Sequence, residues 1–215
     1  ELSAKTDQHK LYFHKLGANQ SEDILVFGDK EKRRYVGGSV SDDNHYLFIS
    51  AANSTSGNEL YFQDLTKPNA PIQLIHAGFE YDVDVLDNQG TKLFIVTNYK
   101  APNKRIVTVD VSNPTAENWK DCIAETDQVL SPSTGAGFIF ANYMKDAVSL
   151  VKQFDYNGKL VREIELPGLG TASGFGGKNE DKIVYFSFTN YVTPSTTYQF
   201  SPADGTSSIY VQPKV

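Results

Sequence analysis

The stretch YLFIS, from Tyr46 to Ser50, is a short and mostly apolar run that recurs along the chain. Three later runs have the same character and follow at spacings of 45 or 46 residues: KLFIV at 92–96, GFIFA at 137–141 and IVYFS at 183–187. A strand that is buried on both faces appears in a sequence as such a continuous apolar run. The four runs therefore predict four equivalent buried strands, one in each of four repeats.

A second series of strand-like runs has nearly the same period, between 44 and 49 residues: LYFHKL at 11–16, LYFQDL at 60–65, IVTVDV at 106–111, LVKQFD at 150–155 and TYQF at 197–200. Turn-forming residues precede the buried runs, as in SDDN at 41–44 and DNQG at 87–90. No convincing amphipathic helix is present, although 114–119 could form one short helical turn. The sequence therefore predicts an all-β protein.

About four strands in each period of this length are typical of a β-propeller, in which neighbouring blades cover each other's strands. A two-layer sandwich is the alternative, but it does not require similar units at constant spacing. We predict a partial β-propeller of about four and a half four-stranded blades. Residues 1–30 would be the last half of one blade, and 35–76, 81–125, 128–166 and 170–215 would be complete blades.

Propellers with blades of this size close with more blades than that, so we expect the chain to come from a larger ring. The two flanks of an open array would expose apolar blade faces or unpaired strands. Such surfaces favour self-association or marginal stability of the isolated chain.

Composition excludes several classes of partner. The formal net charge is -6, which argues against nucleic acid, and no apolar run is long enough to cross a bilayer. The basic run Lys32-Arg33-Arg34 is interpreted as a solvated turn.

A single cysteine, Cys122, excludes an intramolecular disulfide. No signal peptide is recognised in this sequence, but the chain opens with Glu1 and not Met, so we expect the true N-terminus to be missing. The compartment therefore stays open between cytoplasm and periplasm.

Catalytic, metal and cofactor sites are not predicted. The string nearest to a Gly-x-Ser-x-Gly nucleophile elbow is Gly170-Thr171-Ala172-Ser173-Gly174, whose spacing is wrong and which we interpret as a loop before the last blade. Asp82, Asp84 and Asp87 lie close in sequence but lack the further oxygens and glycine of a calcium loop. We interpret these three as solvated or turn-capping residues.

Three stretches resemble motifs of the prolyl oligopeptidase family. FTNYVTPSTTY at 188–198 is similar to the motif of the last propeller blade, with Asn190 where serine is usual. YFHKLG at 12–17 followed by QSEDILV at 20–26 looks like an earlier hairpin of the family, and SDDNHYLFIS at 41–50 looks like one of its strand starts. In that last stretch Asn44 replaces glycine, and both residues tolerate a positive φ.

The resemblance implies a seven-bladed propeller that caps an α/β-hydrolase domain, and the hydrolase domain carries the Ser, Asp and His that cleave short peptides after proline. The chain would then be a non-catalytic part that restricts substrate access. Its partners would be the hydrolase domain of the same parent chain and short proline-containing peptides. By the positions of the family's loops, Tyr35 and Thr55 would line the substrate cavity.

A binding propeller with no hydrolase attached is the alternative. Tyr99, Tyr143 and Tyr191 could then be contact residues at loop tips. The recurring pairs Asn98-Tyr99, Asn142-Tyr143 and Asn190-Tyr191 more simply mark equivalent strand ends.

Overall fold

The structure is a computed structural model that describes residues 8–30 and 32–214. Residues 1–7 and 215, which fall within the predicted blade limits, lie outside the described part of the chain. The described residues form eighteen strands. The first two form a hairpin, β1 (Leu11–Phe13) and β2 (Ile24–Phe27).

The remaining strands form four antiparallel sheets in which consecutive strands are neighbours, and we name them blades A to D. Blade A contains β3 (Tyr35–Val40), β4 (Tyr46–Ala52), β5 (Glu59–Asp64) and β6 (Gln73–His76). Blade B contains β7 (Val83–Gln89), β8 (Lys92–Thr97), β9 (Arg105–Asp110) and β10 (Lys120–Ile123). Blade C contains β11 (Val129–Gly135), β12 (Phe138–Lys145), β13 (Val148–Phe154) and β14 (Leu160–Glu163). Blade D contains β15 (Thr171–Gly176), β16 (Val184–Thr189), β17 (Thr196–Ser201) and β18 (Thr206–Val211).

The second strands of the four blades begin 46 residues apart, at Tyr46, Lys92, Phe138 and Val184. They contain the four apolar runs, and central residues such as Ile49, Ile95 and Ile139 are fully buried. The second strands of blades B and C are covered on both faces because a neighbouring blade packs on each side, and the hairpin β1–β2 packs on the outer side of blade A. In β16 of blade D, buried Phe186 alternates with exposed Tyr185, because within the described residues only blade C packs on this sheet. The prediction of four equivalent strands is therefore confirmed, but the prediction of burial on both faces was wrong for β16.

The core lies between the blades. One apolar cluster joins blades A and B through Phe48, Leu60 and Val83, and another joins blades B and C through Phe94, Ile106 and Leu130. The largest aromatic cluster joins blades C and D, where the Phe175 and Phe186 rings stack with centroids 4.5 Å apart. Because each cluster draws on two adjacent blades, no blade buries its apolar face alone.

The first strands of blades B, C and D lie beside one another, because β11 contacts both β7 and β15. This is the arrangement of strands around a propeller axis. The fold class predicted from the sequence, an all-β partial propeller, is confirmed. Within the described residues the only helical segments are two single 3₁₀ turns, Gln20–Glu22 and Ala116–Asn118, and the second lies in the segment predicted to form a short turn.

The interpretation of residues 170–174 as a loop was wrong, because Thr171–Gly176 is β15, the first strand of blade D. Gly170, just before β15, and Gly174, within it, lie where neighbouring backbone approaches closely. A Cβ on Gly170 would lie 2.4 Å from the Thr189 carbonyl oxygen, and one on Gly174 would lie 2.7 Å from the Tyr185 carbonyl oxygen. The glycines at these two positions therefore reflect close packing within the sheet.

Candidate functional site

Each blade has two ends with different connections. At the loop end, segments 77–82, 124–128 and 164–170 lead into the first strands, and segments 53–58 and 98–104 connect second to third strands. At the turn end, segments 41–45, 90–91, 136–137 and 177–183 connect first to second strands. Both residues predicted to line a substrate cavity, Tyr35 and Thr55, lie at the loop end of blade A.

Tyr35 is the first residue of β3 and pairs with Ala52. The edge of its ring meets the His9 ring with centroids 5.7 Å apart, and the Arg34 guanidinium lies 5.4 Å from the ring centroid. The side chain is held by these neighbours, yet the residue remains 36% exposed. It therefore offers an ordered aromatic surface to solvent at the loop end.

Thr55 lies at the tip of the loop 53–58, flanked by Ser54 and Ser56. All three residues are exposed, so the tip presents three hydroxyl groups. Because Ala52, next to this loop, pairs with Tyr35, the structure brings the aromatic ring and the hydroxyl tip to the same end of one sheet.

The two residues that follow the tip fix the loop to blade B. The buried Asn58 side chain accepts a hydrogen bond from the Val83 amide at 2.9 Å and donates to the Val83 carbonyl at 2.8 Å, and its own amide donates to the Tyr81 carbonyl at 3.0 Å. Gly57 has a φ of +73°, and a Cβ there would lie 1.9 Å from the Phe79 carbonyl oxygen. Only glycine fits this position.

Asp82 contacts both sides of this junction. Its Oδ1 accepts the Gly57 amide at 2.8 Å, and its Oδ2 lies 3.7 Å from the Lys104 ammonium. The Asp82 amide donates to Asn98 Oδ1 at 2.7 Å, and the Asp82 carbonyl accepts the Thr97 hydroxyl at 2.7 Å. The turn-capping interpretation of Asp82 agrees with these contacts.

The interpretation of Lys32-Arg33-Arg34 as a solvated turn was wrong for Arg33. Its guanidinium donates to both carboxylate oxygens of Glu59, at 2.7 and 3.0 Å, and both side chains are largely buried. The Tyr61 hydroxyl donates to the same carboxylate at 3.0 Å. The pair fixes the segment before β3 to the start of β5, because a two-point Arg–carboxylate contact has a defined geometry.

The same kind of junction recurs in the next two blades. Asn103, just before β9, donates its side-chain amide to the Thr126 carbonyl at 3.0 Å, and its backbone amide donates to Glu125 Oε1 at 2.6 Å. In β13 the Ser149 hydroxyl accepts the Ala172 amide at 3.0 Å. Sequence reasoning missed these residues, although Asn58 and Asn103 lie 45 residues apart, close to the repeat spacing.

A cluster of aromatic rings lies between blades A and B near the loop end. The buried His76 ring lies 5.9 Å from Tyr99 and 6.0 Å from Trp119 by centroids, and Tyr81 packs on Tyr99 at 5.0 Å. Burial lowers the pKa of His76 against an opposing effect of Glu80 and Glu59. The imidazole is therefore held in its neutral form.

The turn end carries a hydrogen-bonded network that spans all four blades. In its centre the Tyr156 hydroxyl of blade C donates to Asp87 of blade B and lies 3.0 Å from Asn179 Oδ1 of blade D. The Asn179 amide in turn donates to Asp42 of blade A at 3.3 Å. Burial first, and then the bond to Asp87, raise the pKa of Tyr156.

A cavity of about 260 Å³ lies beside this network and is lined by polar groups that include Asp42, Asp87, Asn88, Thr134 and Asn179. Asn88 also donates to Asp43 at 2.8 Å, which joins blades A and B a second time. Burial alone would raise the pKa of Asp43, but hydrogen bonds from Ser41 and Asn88 outweigh it and lower the pKa. The turn end is therefore tied together across the axis.

No group of three or more His, Cys, Asp or Glu side chains within 8–30 and 32–214 could hold a metal ion. Cys122 is partly buried against the core between blades B and C, and burial raises the pKa of its thiol. A raised pKa disfavours the thiolate that a nucleophilic cysteine needs.

The tyrosines considered for a binding propeller do not form a common surface. Tyr143 is buried inside β12, Tyr99 belongs to the aromatic cluster, and Tyr191 is exposed in the loop after β16. Asn98 and Asn190 follow second strands, but Asn142 lies within β12. The pairs therefore do not all mark strand ends, and two of the three rings are not available as contacts at loop tips.

The described part of the chain has no helix with the length and apolar character needed to cross a membrane.

Comparison with known proteins gives one consistent result. The family model described as prolyl oligopeptidase, N-terminal β-propeller domain, matches residues 1–213. A prolyl endopeptidase of Elizabethkingia meningoseptica is 54% identical over 215 residues, which are 100% of this chain and 30% of that protein. A prolyl endopeptidase of Dictyostelium discoideum is 30% identical and is matched over 96% of this chain and 30% of its own length.

Solved structures agree with the sequence comparisons. One from a structural and mechanistic analysis of two prolyl endopeptidases superposes with a TM-score of 0.86 at 28% identity, covering 94% of this chain and 30% of that chain. A second structure is prolyl oligopeptidase B of Galerina marginata bound to a 35-mer hydrolysis and macrocyclization substrate. It superposes with a TM-score of 0.87 at 22% identity, covering 97% of this chain and 31% of that chain. At this identity the likeness supports the fold alone. The chain thus spans about 30% of the length of the curated relatives it matches.

Proposed function

We propose, given that this chain belongs to the prolyl oligopeptidase family as part of its N-terminal β-propeller, that it restricts substrate access in a serine peptidase that cleaves short peptides after proline. The observation that carries the proposal is the match over residues 1–213 to the propeller domain, in a chain that spans 30% of its prolyl endopeptidase relatives. The Ser, Asp and His of catalysis would belong to an α/β-hydrolase domain of the same protein. This chain would supply none of them.

In this propeller we assign residues 1–30 to the last half of one blade, and 35–76, 81–125, 128–166 and 170–215 to complete blades. The ring of the whole protein would have seven blades.

Within the propeller, we assign Tyr35 and Thr55 to the wall of the substrate cavity. The ordered Tyr35 ring and the hydroxyl tip at 54–56 lie at one end of blade A, where a peptide could contact an aromatic face and hydrogen-bonding groups together. The turn end is unsuited to the passage of a folded chain because Asp42, Asp87, Tyr156 and Asn179 are bonded across it. Folded proteins would be excluded sterically, and short peptides would be admitted.

A fluorophosphonate probe for active serines tests the proposed activity. An antibody to this chain should capture, from an extract of the source cells, a probe-labelled protein much heavier than 23.8 kDa. The captured protein should cleave a Gly-Pro chromogenic peptide, and probe treatment before the assay should abolish cleavage. An unlabelled captured protein without cleavage would contradict the proposal and favour a binding propeller.

Substitution in the intact enzyme tests the two cavity residues. Tyr35→Ala or Thr55→Ala should raise KM for a peptide substrate about three- to tenfold with little change in kcat, the loss expected for one ring contact or one hydrogen bond. Tyr210→Ala is the matched control, because Tyr210 is exposed on the outermost strand of blade D. Equal KM values for all three variants and the parent enzyme would remove Tyr35 and Thr55 from the site.

A further inference from the structure

We propose that Asp82 is a positioning residue that sets the direction in which the hydroxyl tip at 54–56 projects. The proposal rests on the proposed function of this loop in contacting peptide. Asp82 would not touch the substrate itself. It would act through Gly57, the residue that follows the tip, and would therefore control how Thr55 meets a peptide.

The first step is that the tip is supported from one side. Ser54, Thr55 and Ser56 are exposed, whereas Gly57, Asn58 and Glu59 are buried. A short exposed segment that precedes a buried one takes its direction from the first fixed residue. That residue is Gly57, whose positive φ of +73° turns the chain toward blade B.

The second step is that Asp82 holds the Gly57 amide. The 2.8 Å bond from this amide to a carboxylate oxygen is charge-assisted, which makes it stronger than a bond to a neutral acceptor. Asn58 anchors the residue after Gly57 through Tyr81 and Val83. Asp82 thus adds the contact nearest to the tip, at the residue where the chain turns.

The third step is that Asp82 is itself fixed by blade B. Its backbone amide and carbonyl bond Asn98 and Thr97, both at 2.7 Å, and Lys104 lies 3.7 Å from its second carboxylate oxygen. Three points of attachment leave the carboxylate little freedom. The orientation of a loop in blade A is therefore determined by the end of the second strand in blade B.

The next blade junction provides a matched comparison. Glu125, in the segment before β11, accepts the Asn103 amide of the loop 98–104 at 2.6 Å. As in the contact between Asp82 and Gly57, a carboxylate in the segment before a first strand accepts a backbone amide that lies two residues before a third strand. The loop 98–104 contains no serine or threonine and therefore has no counterpart of the tip at 54–56.

The experiment compares Asp82→Ala, Asp82→Asn and Glu125→Ala in the intact enzyme. Hydrogen exchange should be faster in the segment 53–58 for Asp82→Ala, and KM for a peptide longer than the chromogenic substrate should rise about threefold or more with kcat nearly unchanged. Asp82→Asn keeps an oxygen acceptor for Gly57 and should restore most of both properties. Glu125→Ala removes the acceptor of the Asn103 amide and leaves the bonds of Asp82 to Gly57, Thr97 and Asn98 in place. Exchange should therefore be faster at Asn103 but unchanged in 53–58, and KM should be as in the parent enzyme.

Unchanged exchange in 53–58 for Asp82→Ala would overturn the proposal, as would an equal rise in KM for Glu125→Ala. Faster exchange with an unchanged KM would separate the loop from substrate binding and overturn the positioning role in the reaction. Failure of the proposed function is a different result, in which the intact protein neither reacts with the fluorophosphonate probe nor cleaves the peptide.

Discussion

His76 shows at the scale of a single residue how the blade junction changes a side chain's chemistry. In the sequence it is one of four histidines without an evident partner. In the structure it is buried between blades A and B among Tyr81, Tyr99 and Trp119, and burial lowers its pKa. The neutral imidazole acts there as an aromatic packing element.

We expect this residue to make stability depend on pH. In the unfolded chain a histidine binds a proton near pH 6.5, whereas folded His76 binds one only at lower pH. The unfolded state therefore holds more protons below about pH 6.5, and the free energy of unfolding should fall as pH decreases through that value. Urea unfolding between pH 7.5 and pH 5.5 measures the decline.

The variant His76→Phe keeps a ring and removes the proton site, so its unfolding free energy should fall less over the same pH interval. His45→Gln is the control, because His45 lies exposed in the turn at 41–45. A decline that is equally steep in His76→Phe and the parent chain would show that other groups cause it.

Residues of the core could be predicted from the sequence, but residues of the junctions could not. Core side chains such as Ile49 and Ile95 can be identified because a strand that is buried on both faces needs a continuous run of apolar residues. Arg33, Asn58 and Asp82 bond groups in other strands or other blades, and these partners lie 25 or 26 residues away in sequence. A local pattern contains no signal for such a contact, so Arg33 was assigned to solvent and the role of Asn58 was missed.

At the scale of elements, the strand positions could be predicted from the sequence repeat. Each blade of a propeller is the same four-stranded meander, and its length changes little from blade to blade. The exception is β15, where close approach of neighbouring backbone requires Gly170 and Gly174 and removes the apolar pattern. Tyr35 and Thr55, which stay predictions as cavity residues, could be placed at one end of blade A because strand order alone determines that end. The hydrogen bonds of their loop could not be predicted, because Gly57 and Asn58 bond residues 25 positions away in sequence.

The turn joining β13 and β14 connects three blades through one hydroxyl group. Tyr156→Phe should destabilise the protein by about 1–2 kcal/mol, because the hydrogen bond to Asp87 is lost and a partly buried carboxylate is left without that donor. The phenyl ring retains the contact with Phe94, whose centroid lies 4.9 Å away. Urea unfolding measures the change.

Tyr185→Phe provides the matched control, since Tyr185 is 44% exposed on β16 and should tolerate loss of its hydroxyl within about 0.5 kcal/mol. Equal stabilities of the two variants would mean that the hydroxyl of Tyr156 does not contribute to the junction.

At the scale of the whole molecule, the array has an apolar flank beside the hairpin β1–β2. Tyr12, Phe13 and Ile24 are exposed there, and with Val40, Leu47 and Leu65 they line an apolar concavity of about 490 Å³. Contiguous apolar surface of this kind is typical of sites that another surface covers.

We expect the chain of residues 1–215 to self-associate through this flank when it is studied alone. Light scattering during gel filtration at several micromolar concentrations should give a mass above 23.8 kDa that decreases on dilution. Ile24→Lys should shift the equilibrium toward monomer because it places a charge on an exposed apolar site. Val161→Lys, on the outer strand of blade C, should leave the mass as in the parent chain, and a concentration-independent monomer would contradict the expectation.

The propeller class followed from the period of the sequence, since no other common fold needs equivalent strands at such constant spacing. The curvature of the array did not follow from it. Curvature depends on contacts between blades that are distant in sequence, and the bond from Asn179 to Asp42 spans 137 residues.

That bond has a mechanical consequence. Blades A and D are not adjacent, yet their inner turns are joined directly, with Asp87 and Tyr156 between them. Blades that are joined by hydrogen bonds at one end can separate from one another only at the other end. We expect the four blades to move in the same way, with small displacements around the pinned turns and larger ones at the opposite rim, where Tyr35 and Thr55 lie.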